Sequence, residues 1–212
     1  VSSDLRGGID APKPRERYDA HVSEPRRVAT IDDLLAIPED ERHHEIVDGV
    51  LAPKEPASGR HGLAQGRLAR AVGPYDRRPG GRFPSGWWFA TAVEVRFEND
   101  QIFRPDIAGW RRERLAGPPD EVPITTRPDW VCEILSSNRR NDLVRKKRVY
   151  HRHEVAHYWI LDPHEETLSV LRWHPDGYTE VLVADRHERV RAEPFGDVEL
   201  ALAVLFGDDA DE

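Results

Sequence analysis

Two carboxylates stand where the surrounding pattern asks for apolar side chains. Glu133 interrupts the run "WVCEIL" (130–135), and Asp106 follows Pro105 in "FRPDIAGW" (103–110). Read as a strand, the first run places Val131, Glu133 and Leu135 on one face and Trp130, Cys132 and Ile134 on the other. Both faces are apolar, as expected of a central strand. A carboxylate there is costly unless something pairs with it. A salt bridge to a nearby Arg or Lys is one solution. A shared cation is another, because two carboxylates on neighbouring strands repel and a hard divalent ion bound by oxygen relieves that repulsion. An ion so placed activates water and offsets charge on a transferring phosphoryl group. A nearby lysine would neutralise the developing oxyanion.

A source of such a lysine follows at once. Residues 139–153 hold seven Lys or Arg against one acid, Asp142. On a helix, Asp142, Lys146 and Val149-Tyr150 fall along one stripe, and Lys147 points elsewhere. A solvated basic helix face is the ordinary meaning of such a run. Tyr150 reads as a core aromatic at helical spacing, able to hydrogen-bond within a site. The ten histidines show no ligand set at usable zinc spacing: His151 and His153 point to different helix faces, and His43 and His44 alternate in a strand. Neither a Gly-rich phosphate loop nor a Gly-x-Ser-x-Gly elbow is present.

The elements that must position these groups are legible in outline. Residues 1–29, rich in Pro, Gly and charge, predict a flexible arm. "TIDDLLAI" predicts a short helix with Thr30 as N-cap, ended by Pro38. Asp48-Gly49 between short apolar runs predicts a tight hairpin around "HHEIVDGVLAPKE". The stretch from Ser58 to Arg78 predicts the longest helix, with Leu63, Leu68, Ala71, Val72 and Tyr75 near helical spacing. "AVEVRFEND" alternates as a half-exposed strand with Val93, Val95 and Phe97 on one face, and Asn99-Asp100 turns it into "QIFRPDIAGW". Pro105 lacks a backbone donor, so Asp106 is expected at a strand start or a distorted edge. A loop carrying prolines 118, 119, 123 and 128 leads to the Glu133 strand. Asn138 or Asn141 then caps a helix running to about residue 152. "VAHYWILD", a hairpin of "TLSVLRWH" and "YTEVLVAD", and a short strand near "DVELAL" follow. This order predicts one mixed α/β (α+β) domain over residues 30–206 around one sheet, with residues 207–212 as an acidic tail.

Bulk properties narrow the function. The 212 residues are 38% hydrophobic and 33% charged, with a net charge of −8, which argues against a general polyanion binder but leaves local basic patches free to act. The single cysteine, Cys132, excludes an intramolecular disulfide framework and a multi-cysteine zinc site. No apolar run approaches the ~18 residues of a membrane helix, and the start shows no signal-peptide core, so the expectation is a cytoplasmic protein without membrane contact.

The order "HEIVDGVL", "GRHG", "RPDIAGW" and "PDWVCEILSSNRRNDLVRKKRVYHRHEVAHYWILDP" resembles the bacterial Uma-two family of restriction-endonuclease-like proteins, within the PD-(D/E)XK nuclease superfamily. The resemblance spans roughly residues 30–185. It implies a restriction-endonuclease-like mixed central sheet flanked by helices, with extra β-hairpins. It implies Asp106 and Glu133 as ligands of Mg²⁺ or Mn²⁺, with the backbone carbonyl of Ile134 as a third. The superfamily places a lysine two residues after the glutamate. Leu135 stands there, and Lys146 on the following helix matches the family's displaced lysine. Glu45 matches an acidic family position and would add a carboxylate, with a hairpin salt bridge as its alternative. His61 matches a family position near the start of the long helix, where it would touch phosphate or the active site. The partner implied is DNA, held at its backbone by Arg139, Arg140, Arg145 and Lys147, and the assembly implied is a homodimer. The leading expectation is therefore a metal-dependent endonuclease. A catalytically inactive nuclease-fold module binding nucleic acid or protein is the alternative. A glycosidase using Glu133 and Asp106 would need a sugar cleft lined by Trp87, Trp88 and Trp110.

Overall fold

The computed structural model describes residues 27–80 and 85–209. The arm expected over residues 1–29 therefore lies outside the described residues except for its last three, and so does the second half of the acidic tail, residues 210–212.

A six-stranded mixed sheet carries the fold. Its order is β10 (Thr179–Asp185), β9 (Thr167–Arg172), β8 (His157–Asp162), β7 (Trp130–Ile134), β6 (Ile107–Arg111) and β3 (Trp87–Thr91). Only β7 and β8 run parallel. β7 is central and buried along its whole length, as its two apolar faces require. A second, antiparallel sheet has the order β2 (Val50–Pro53), β1 (His44–Val47), β5 (Gln101–Phe103) and β4 (Val95–Glu98). β11 (Arg189–Val190) and β12 (Leu200–Ala201) form a small pair.

Around one sheet, "QIFRPDIAGW" would be one strand. It is two, because the chain leaves the small sheet after Phe103 and enters the large one at Ile107. Pro105 cannot donate to a ladder, and the Arg104 side chain fixes the bend by donating to the carbonyls of Arg42 and Ala92. Asp106 sits at that crossing. The Asp48-Gly49 turn forms as expected, with both residues at positive φ (50° and 69°) and Val47 opposite Val50.

The alternation of β7 sorts two cores. Trp130, Cys132 and Ile134 face α2 (Gly59–Val72) and α4 (Leu202–Phe206), in a core where Phe195 packs against Tyr75, Trp87, Trp130 and Trp159. Val131 faces Phe103, Tyr150 and Tyr158 on the other side. The buried stripe of α2 is His61, Ala64, Leu68 and Val72, whereas Leu63, expected inside, is 42% exposed. Ser58 caps this helix by accepting from the His61 amide at 3.2 Å, and His61 is turned inward. The helix after β7 contains a π-helical segment, Asn141–Lys146, and continues as α3 (Lys147–Arg152). Among the described residues no helix is long and apolar enough to cross a membrane.

Candidate active site

The antiparallel ladder between β6 and β7 ends with Ile107 opposite Cys132. One position further, the same register sets Asp106 opposite Glu133, so both side chains leave the sheet on one face at adjoining strand ends. They line a cavity of about 400 Å³ together with Lys54, His61, Ile134 and Lys146.

Asp106 is surrounded by donors. Lys54 Nζ lies 2.7 Å and His61 Nε2 3.2 Å from Oδ1, and the Ile134 amide donates to Oδ2 at 2.7 Å. Gln65 Nε2 donates to the Asp106 carbonyl at 2.7 Å. Burial pushes this carboxyl up, but the hydrogen bond from His61 and the Lys54 ammonium outweigh it and hold the group well below the usual carboxylate range. Glu133 shows the opposite balance. It is 1% exposed, and burial pushes its carboxyl up to about 8, with the Lys146 ammonium pulling against that and Asp142 adding to it. The Tyr150 hydroxyl donates to Glu133 Oε1 at 2.5 Å, so this core aromatic is also part of the site.

Lys146 is enclosed by acids. Its Nζ lies 2.9 Å from Glu45 Oε1, 3.1 Å from Asp142 Oδ1 and 3.3 Å from Glu133 Oε1. Burial opposes its charge, yet Glu133, Glu45 and Asp142 lift its pKa well above the ordinary lysine value. The π-helical segment presents Asp142 and Lys146 together on the inner side. Glu45 makes no bridge within its own hairpin. It reaches across to Lys146 and accepts from the Arg104 amide at 2.7 Å, tying the small sheet to the helix.

Four acids, Glu45, Asp106, Glu133 and Asp142, thus face two ammonium groups, Lys54 and Lys146. The acids outnumber the ammonium groups by two, and burial, reinforced by the charge of Asp142, favours the protonated form of Glu133. Among the described residues, no three His, Cys, Asp or Glu side chains stand in metal-binding geometry, and Lys54 and the Ile134 amide occupy the Asp106 oxygens. The donor set nevertheless fits a hard divalent ion. It offers buried carboxylate oxygens, more acids than ammonium groups, and an ammonium standing in for a cation on Asp106.

The basic residues divide. Arg139 pairs with Asp162 at 2.6 Å and Arg145 with Asp48 at 3.5 Å. Arg140 is exposed and Lys147 half-buried, and among the described residues neither has an ion-pair partner. Trp87 and Trp110 are buried in the core and Trp88 lies under Arg112, so no tryptophan lines the cavity and the sugar reading loses its cleft. Lys54 and Gln65 escaped sequence reading. Gln65 is four residues from His61 on one helix face, a spacing that could have signalled it. Lys54 carried no such mark.

The fold is a mixed α+β architecture built on one large mixed sheet. A crystal structure of a "putative nuclease belonging to DUF820" from Anabaena variabilis is similar over 84% of this chain and 97% of its own, with a TM-score of 0.63 and 23% identity, and so shares the fold. The family model described as "Putative restriction endonuclease" matches residues 31–204, and the chain belongs to that family, Uma2. Among curated proteins, none matches.

Proposed function

We propose that the protein is a metal-dependent endonuclease that hydrolyses DNA phosphodiester bonds with Mg²⁺ or Mn²⁺. One observation carries this reading: the β6–β7 register sets Asp106 opposite Glu133 at the wall of a cavity whose acids outnumber its lysines. Asp106, Glu133 and the carbonyl of Ile134 would hold the ion. When bound, the ion supplies an activated water and offsets charge on the phosphoryl group. Hydrolysis forms one P–O bond from water, breaks one to the departing sugar oxygen, and transfers one proton to that oxygen. Glu45, Asp142 and Tyr150 fix Lys146 and Glu133 in place. Arg140 and Lys147 are free to take backbone phosphates, while Arg139 and Arg145 would first have to leave Asp162 and Asp48. The family resemblance adds a homodimer to this reading, measurable by sedimentation.

Cleavage of supercoiled plasmid tests it. The wild type is expected to cut with Mn²⁺ or Mg²⁺ and not with chelator. Asp106→Asn and Glu133→Gln are expected to lose at least about 100-fold in rate. Equal cutting by both variants would overturn the proposal. The rival reading, an inactive nuclease-fold module, draws on Leu135 standing where the superfamily places a lysine, and it expects no cutting by any form.

A further inference from the structure

The site holds two lysines in opposite situations. Lys146 is 2% exposed at its side chain, and three carboxylates lie within 3.3 Å of its nitrogen. An ammonium has three N–H donors. Lys146 donates to Glu133 and stands in ion-pair contact with Glu45 and Asp142, so its charge is taken up inside the protein, and moving it would strand three buried acids. Lys54 follows directly after β2, its side chain is 23% exposed, and the neighbouring residues 55–60 are all exposed. Its ammonium has two acceptors among the described residues, Asp106 Oδ1 and the Arg104 carbonyl. One N–H therefore remains uncommitted, and the tip can turn without repacking the core. The oxygen it occupies belongs to a proposed metal ligand, so an ammonium and a divalent cation compete for the same atom.

We propose that Lys54, rather than Lys146, is the lysine that meets the substrate. In the ion-free protein it keeps Asp106 compensated. Once Asp106 is turned over to a divalent ion, Lys54 donates to a non-bridging oxygen of the scissile phosphodiester. Lys146 is then a positioning residue, which holds Glu133, Glu45 and Asp142 in register. This inference rests on the nuclease reading above and names the residue that contacts the phosphate.

Mn²⁺ binding by titration calorimetry, beside cleavage of a short duplex, separates the possibilities. Lys54→Met is expected to bind Mn²⁺ about tenfold more tightly, because a competing charge is gone. It is also expected to cleave at least about 100-fold more slowly. Lys54→Arg should recover part of the rate. Lys54→Gln, which keeps a donor without the charge, should reproduce the tighter binding and serves if the Met variant does not fold. Unchanged Mn²⁺ affinity in the Lys54 variants, or a wild-type rate, overturns the proposal while leaving the nuclease reading intact, provided Asp106→Asn abolishes Mn²⁺ binding. A wild type that takes up no Mn²⁺ overturns both.

Discussion

A carboxylate enclosed in a sheet must be held by donors, and Glu133 is held by Tyr150 and Lys146. Removing one donor should cost more than an average hydrogen bond, because the acid left behind stays desolvated. Tyr150→Phe is expected to destabilise the protein by about 1–3 kcal/mol in urea denaturation. In the Glu133→Gln background the same change should cost clearly less, since a neutral amide bears the loss better. Full additivity would show that Tyr150 acts only through packing. Asp106, Glu133, Glu45 and Lys146 were legible in the sequence because each places charge where pattern or resemblance marks it, and one cavity wall brings all four together. Lys54 was not legible. It lies at the end of an ordinary hairpin, and its contact with Asp106, 52 residues away, depends on how that hairpin packs.

The elements show the same division. The hairpin turn could be read from Asp48-Gly49 alone, because few pairs tolerate two left-handed residues. Gly49→Ala is expected to cost about 1–2 kcal/mol. Besides the positive φ, an added Cβ would come within 2.7 Å of Val28 Cγ1. An unchanged denaturation midpoint would show that the turn relaxes freely. The passage of "QIFRPDIAGW" from one sheet to another was not legible beyond the hint of Pro105. Alternation reports burial on each side and not which sheet provides it. The π-helical segment was hidden too, since apolar spacing cannot separate 3.6 residues per turn from a locally wider helix. The inward face of α2 was misjudged because His61, a polar residue, occupies a buried position that an apolar count passes over.

At the scale of the molecule, pH should act through His157 as well as the site. Burial and the charges of Arg111 and Arg172 pull its pKa down to about 4, and its Nδ1 has no hydrogen-bond partner. The unfolded chain takes up a proton below its ordinary value of 6.5, whereas the folded chain resists until about 4. Stability from this residue is therefore present above pH 6.5 and lost as pH falls toward 4. The loss is on the order of 2 kcal/mol once solvent screening is allowed for. His157→Gln should flatten the slope of unfolding free energy against pH across that window, measured in parallel with the wild type. The cluster around Lys146 carries a different consequence. It joins β1, β7 and the helix after β7, so three parts of the fold converge on one ammonium. A lineage drifting away from catalysis could shed Lys54 freely, but it would keep Lys146 to remain folded. Retention of Lys146 among relatives is then a record of architecture, and the presence or loss of Lys54 is the better marker of which members still cut.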